Sequence, residues 1–157
     1  MQLDVRGPRF AAAVTTIVLV AVLVTGSGWL ALAQAVVFAI GAVSARYAPY
    51  GVVFRTLIAR RLGPPTRFEP PEPVRFAQGV GFAFAAVASV GYLSGATTVG
   101  VIATALALAA AFLNAAFGIC LGCEAYLAIR RLGTRPRADR TRGGVPAGTV
   151  TSEIRQP

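Results

Sequence analysis

The chain has two cysteines, and they stand three apart, as Cys120-Leu121-Gly122-Cys123, with Glu124 directly after them. On a helix, residues three or four apart share a face. Cys120, Cys123 and Glu124 would then put two thiols and a carboxylate together. The same spacing brings two Cα atoms within the ~4.4–6.8 Å that a disulfide requires. Gly118 and Gly122 lie roughly opposite, a small-xxx-small pattern that lets another helix come close. Three chemistries fit such a pair: a dithiol that cycles or carries sulfur, a metal site, or plain packing, since cysteine behaves as a small apolar residue. A metal needs more ligands, and because the chain has no histidine a four-cysteine site would take two copies. We take the dithiol as the leading reading, with Cys120, Cys123 and Glu124 as candidate site residues and no cofactor or metal.

A reactive thiolate wants a helix N-terminus or nearby cations. On one long helix Cys120 comes late, Glu124 opposes the negative charge, and Arg130 and Arg131 offset it only in part. A break at the two glycines would start a short helix at the cysteines and make the dipole favourable.

The elements that must position the pair are apolar. Hydrophobic residues make up 55% of the 157 and charged residues 13%, about half the charged share of a soluble domain. Four apolar stretches are predicted as transmembrane helices, at about 10–25, 29–45, 74–93 and 98–129. A span takes about 20 residues, so the first two are short and the fourth is too long to lie wholly in hydrocarbon. Crossing from Thr98, the fourth would leave the hydrocarbon near Phe117 and set the cysteines at the boundary.

The connections alternate in charge. Gly26-Ser27-Gly28 and Ser94–Thr97 carry none. The stretch 46–75 holds Arg46, Arg55, Arg60, Arg61, Arg67 and Arg75, and Arg130 and Arg131 follow the last stretch. The positive-inside rule places both termini and the middle loop in the cytoplasm. That compartment is reducing, so a cycling dithiol fits there better than a static disulfide. Arg6 and Arg9 ahead of the first stretch resemble a signal peptide, but the next apolar stretch follows at once, so a span fits better.

Within the middle loop, Val52, Val53, Phe54, Leu57 and Ile58 alternate with arginines. This predicts a helix at about 50–62 lying in the membrane interface, ended by Gly63-Pro64-Pro65. Residues 1–132 form the transmembrane domain, and 133–157, rich in Gly, Pro, Thr and Arg, read as a disordered tail. Gln34, Gln78 and Asn114 are polar groups in apolar stretches, which bond between helices or touch a substrate; Asn114 falls on the Gly118 side, which favours packing. Arg9 and Arg75 reach headgroups, and Glu69 and Glu72 are solvated or pair with Arg67. Arg9-Phe10-Ala11 matches Arg75-Phe76-Ala77, and Phe38-Ala39-Ile40 with Tyr47 matches Phe117-Gly118-Ile119 with Tyr126. The matches read as an internal repeat or as chance among Ala- and Phe-rich helices. No phosphate loop, nucleophile–base pair or dinucleotide fingerprint is present. The basic excess of 15 arginines over 6 acids sits beside apolar runs, which speaks for a membrane and against nucleic acid.

Arg-Gly-Pro-Arg-Phe at 6–10, Val-Arg-Phe-Ala-Gln at 74–78, and Asn114 followed by Cys-Leu-Gly-Cys-Glu at 120–124 resemble the actinobacterial membrane family called domain of unknown function 4395, over roughly residues 3–130. Genes of that family stand near thioredoxin-like proteins and thiosulfate sulfurtransferases. The resemblance thus implies thiol redox or sulfane-sulfur handling.

The reading is an all-α, multi-pass plasma-membrane protein: four transmembrane helices in two hairpins and a cytoplasmic interfacial helix. Its partners are the lipid bilayer, a cytoplasmic thioredoxin-like protein or sulfurtransferase, and a second copy of itself as homo-oligomer. Cys123 would meet the soluble partner and Cys120 would resolve the intermediate. Two other functions stand beside this one: a small transporter or channel subunit for a sulfur species, and a structural membrane protein with packing cysteines. A reporter enzyme fused after Leu132 is expected to be active only in its cytoplasmic form, and a periplasmic signal there would overturn the four-span topology.

Overall fold

The computed structural model describes residues 3–63 and 68–133. The long helices are α1 (Arg6–Thr25), α2 (Gly28–Val43), α4 (Pro71–Leu93) and α5 (Thr97–Phe117). A short helix α3 (Pro49–Val53) runs on into a π-helical turn, Phe54–Ile58, and a 3₁₀ turn, Ala59–Arg61. The last helix is α6 (Leu121–Gly133). Two strands of two residues, β1 (Leu3–Asp4) and β2 (Phe68–Glu69), pair antiparallel and tie the segment before α1 to the end of the middle loop. The expected disordered tail lies outside the described residues but for Gly133, as does most of the Gly63-Pro64-Pro65 stop.

Helices α1, α4 and α5 are long and apolar enough to cross a membrane; α2 is apolar but has 16 residues. α1 and α4 begin three to four residues earlier than their apolar runs, because Pro8, Pro71 and Pro73 occupy first turns, where a missing N–H costs nothing. Gly26 ends α1 in the left-handed conformation, φ 60°, and Ser27 caps α2 by accepting the Leu30 N–H at 3.3 Å.

The predicted fourth helix over 98–129 is corrected to two helices. Gly118 adopts φ 72° and its N–H closes on the Asn114 carbonyl at 3.0 Å, so α5 stops there, and α6 restarts at Leu121. Positive φ is inexpensive only for glycine. The expected packing pattern therefore divides. Gly118 turns the chain, and Gly122 makes the close approach: a Cβ on it would stand 2.6 Å from Ala77 Cα on α4.

Most large apolar side chains face outward, and most buried positions hold small residues beside Leu19, Val22 and Phe38. Ile17, Val24, Trp29 and Val43 are each more than two-thirds exposed, while Ala31, Ala35, Ala85 and Ala88 are buried. Soluble cores reverse this. Between helices in lipid, small residues allow backbones to touch and gain dispersion energy. At the tip of the second hairpin a Cβ on Gly91 would meet the Gly100 nitrogen at 2.6 Å.

Around the bundle, α1 packs on α5 and α4 packs on α2. The Arg-Phe-Ala match marks equivalent places in this arrangement. Phe10 on α1 meets Phe54 at 5.8 Å between centroids, and Phe76 on α4 meets Tyr126 on α6 at 5.7 Å. The Arg9 guanidinium carbon lies 3.7 Å from where a Gly118 Cβ would stand, at the end of α5, and Arg75 Nε donates to the Ala42 carbonyl at 2.9 Å, near the end of α2. Each half is thus a helical hairpin followed by a short helical piece anchored through an aromatic ring. The counterpart of Tyr126 is Phe54, however, not Tyr47, so the second sequence match was out of register.

Within the expected interfacial helix, Phe54 turns inward. It is buried at 3% exposure against α1, while Val52, Val53 and Leu57 remain exposed. Phe54 thus ties the helical piece to the bundle, beside three apolar residues that stay exposed. Tyr50 beside it donates its O–H to Gln34 Oε1 at 2.8 Å, and burial pushes its phenol above the usual range. Gln34 Nε2 in turn donates to Thr15 Oγ1 at 3.5 Å. Gln34 so makes the interhelical bonds that a buried amide in an apolar bundle needs.

Gly91→Val is expected to force α4 and α5 apart at a cost of about 1–3 kcal/mol. The measurement is the midpoint of unfolding in mixed detergent, which should fall; an unchanged midpoint would show that the close contact carries no packing energy.

Candidate functional site

The break at Gly118 decides where the cysteines stand. Cys120 immediately precedes α6 and Cys123 lies in its first turn. The Cys120 carbonyl accepts the Glu124 N–H at 3.0 Å, the first bond of the new helix. The Cys120 Sγ accepts the Cys123 N–H at 3.3 Å. This is the bond that an N-capping side chain makes, with sulfur in place of oxygen. The free N–H groups and the positive end of the helix dipole point at this sulfur. The dipole that a continuous helix would have set against the thiols therefore favours them.

The two sulfurs are within bonding distance of each other, and the Cα atoms lie 5.2 Å apart, inside the range expected from the spacing. Both residues are half-buried. Between them, Gly122 packs against Ala77 of α4. The pair borders a cavity of about 630 Å³ between α1, α4, α5 and α6, which Gly122, Ala77 and both cysteines line. Glu124, the third expected site residue, sits in the first turn of α6 but is exposed and does not line that cavity. Among the described residues no three His, Cys, Asp or Glu side chains come together as metal ligands would.

Sequence reasoning missed two neighbours of the pair. Asn114, assigned to packing on the assumption of an unbroken helix, lines the cavity with the cysteines. Arg9, assigned to headgroups, lines it too and reaches the end of α5 at Gly118. The Arg-Phe-Ala match was the available signal for Arg9, because Arg75 occupies the equivalent position at the end of α2. Gln78 also lines the cavity, one residue beyond the Ala77 contact. A disulfide or dithiol, one guanidinium, two amides and the Thr15 hydroxyl therefore border a space whose other walls are mostly apolar.

Adding one methyl group at Gly122 tests how far this geometry depends on α4. Gly122→Ala would drive a Cβ into Ala77 Cα, costing about 1–3 kcal/mol and lifting the cysteine turn off the bundle. In the reduced protein both cysteines are then expected to alkylate faster than in the native chain. Equal rates would show that the turn is not held by that contact.

The family described as Domain of unknown function (DUF4395) matches residues 3–131, and the chain belongs to it. No curated protein and no solved structure matches the chain.

Proposed function

We propose that this member of the DUF4395 family is a four-span plasma-membrane thiol–disulfide redox protein, whose Cys120–Cys123 pair exchanges electrons with a soluble dithiol protein in the cytoplasm. The observation that carries the reading is the Cys123 N–H donated to Cys120 Sγ at the start of α6. A sulfur so placed is stabilised when it becomes a thiolate. Packing cysteines have no need of this position.

The sidedness follows from charge. Arg6, Arg9, Arg46, Arg55, Arg60, Arg61, Arg75, Arg130 and Arg131 all belong to the end where α1 and α4 start and α2 and α5 stop. The opposite end has the uncharged turns at Gly26-Ser27 and Ser94–Ala96. By the positive-inside rule the arginine end, and the cysteines with it, face the cytoplasm. The piece 49–61 and α6 lie along that interface, with α6 exposing Ile129 and Leu132 on one side and Arg130 and Arg131 beside them.

The break also reverses the roles that a continuous helix implied. In exchange with a reduced partner, the partner's thiolate attacks Cys120 Sγ, the Cys120–Cys123 bond breaks, and Cys123 leaves and takes up a proton. The partner's second thiol then attacks its own sulfur in the mixed disulfide. Cys120 departs as the better-stabilised thiolate, and a stabilised leaving group departs faster. The partner ends oxidised and the pair reduced, two electrons having moved. A thioredoxin-like protein with two thiols supplies both the attacking and the resolving sulfur.

After reduction with dithiothreitol and its removal, limiting iodoacetamide is expected to modify Cys120 at least about fivefold faster than Cys123, because the helix N-terminus favours the thiolate there. Cys123→Ser should trap a soluble thiol protein on Cys120. Equal, slow labelling at both positions, together with a Cys120→Ser/Cys123→Ser chain that trapped nothing and behaved as wild type under thiol stress, would leave packing as the function of the pair.

A further inference from the structure

We propose that the cavity beside Cys120 and Cys123 is the binding site of a lipid-soluble quinone that takes electrons from the reduced pair. The inference rests on the thiol–disulfide reading above and names its second partner. A pair that accepts electrons from soluble thiols must pass them on. Its cavity lies inside a bundle whose outer surface is apolar, so an acceptor that dissolves in hydrocarbon is the one with ready access.

The shape and chemistry of the space fit that acceptor. About 630 Å³ falls within the ~300–1,000 Å³ of small-molecule sites. Its walls include Phe38, Phe84 and Leu106, which suit a flat apolar ring. Its N–H-bearing side chains are Arg9, Asn114 and Gln78, beside the Thr15 hydroxyl. Arg9 reaches Gly118 and Asn114 bonds Gly118 through its carbonyl, both at the cysteine turn, while Gln78 packs against Gly41 on α2. A quinone carries two carbonyl acceptors and no donor, and these three side chains supply N–H donors. An acyl chain would leave those donors unused. A small inorganic anion would leave the aromatic walls unused.

The step balances within the site. The Cys120 and Cys123 thiols lose two electrons and two protons as their S–S bond forms. The quinone gains the same two electrons and two protons and leaves as the quinol. No further oxidant or reductant enters, and the Cα separation of 5.2 Å lets the bond close without rebuilding α6.

The test uses the full-length protein in lipid nanodiscs, reduced and freed of reductant, with a short-chain benzoquinone and a naphthoquinone as probes. Quinone absorbance gives the rate, and mass spectrometry after alkylation gives the thiol count. The expected result is one quinone reduced per protein, two thiols lost, no quinone mass retained, and a rate that saturates with quinone concentration. Ala110→Phe, which fills the cavity wall, should lower that rate at least tenfold, whereas Ala109→Phe on the exposed face of α5 should leave it within twofold. Saturation in the native chain is read without any variant, so a misfolded Ala110→Phe does not remove the test. A strictly linear dependence, a covalent quinone adduct as the end product, or no reduction of either quinone by a pair that dithiothreitol still opens and closes would overturn the quinone site and leave the redox reading standing. A pair that neither dithiothreitol nor quinone alters would overturn both.

Discussion

A single left-handed residue divides the last apolar run of this chain. At Gly118 the backbone turns to φ 72°, a conformation that costs any residue with a Cβ about 1 kcal/mol or more. Downstream positions depend on that turn. Without it, Cys120 and Cys123 would sit in mid-helix, their N–H groups spent on ordinary helical bonds. With it, a fresh helix starts beneath them, the sulfur of Cys120 collects an N–H, and Asn114 and Arg9 come to border the same space. The turn also frees α6 from the axis of α5, so that Gly122 can settle against Ala77 and Tyr126 against Phe76.

The bundle that holds this turn is built by removing side chains from its interior. Alanine and glycine occupy most of the contacts, with Leu19, Val22 and Phe38 among them, and most of the other large apolar residues face outward. Close backbone approach replaces the hydrophobic effect, which has little to offer between helices already in lipid. The same economy explains the resemblance between the halves. In both, an arginine near the start of the first helix meets the far end of the other half's second helix, and an aromatic one residue later anchors the short helical piece. The halves differ at the start of the second short helix, because only the second half carries cysteines there.

Much of this was legible in the residues. Long apolar runs, uncharged tight turns and arginine-rich connections mark the helices and hairpins directly, since lipid leaves few ways to satisfy a backbone. The three-residue spacing of the cysteines already implied Cα atoms close enough to bridge. What could not be read was the direction of α6. Gly118 and Gly122 look alike in sequence, and small residues three or four apart usually signal helix contact, so a glycine that turns the chain cannot be told from one that packs. That Asn114 lines the cavity beside the cysteines was not legible for that reason. The inward turn of Phe54 was not legible because an aromatic among arginines reads the same whether it meets lipid or a partner such as Phe10, and only the fold supplies the partner.

The length of α2 has a consequence for the membrane itself. Its 16 residues rise about 24 Å, several ångströms less than the ~30 Å of an average hydrocarbon layer. A helix too short for its bilayer draws the leaflets together around it. In the four-span reading, the arginine end would then lie at the bottom of a shallow dimple in the lipid surface. Water and a soluble partner could reach the half-buried sulfurs there, a few ångströms below the surrounding headgroups. On that reading, bilayer thickness would act on how far the sulfur of Cys120 lies below the lipid surface.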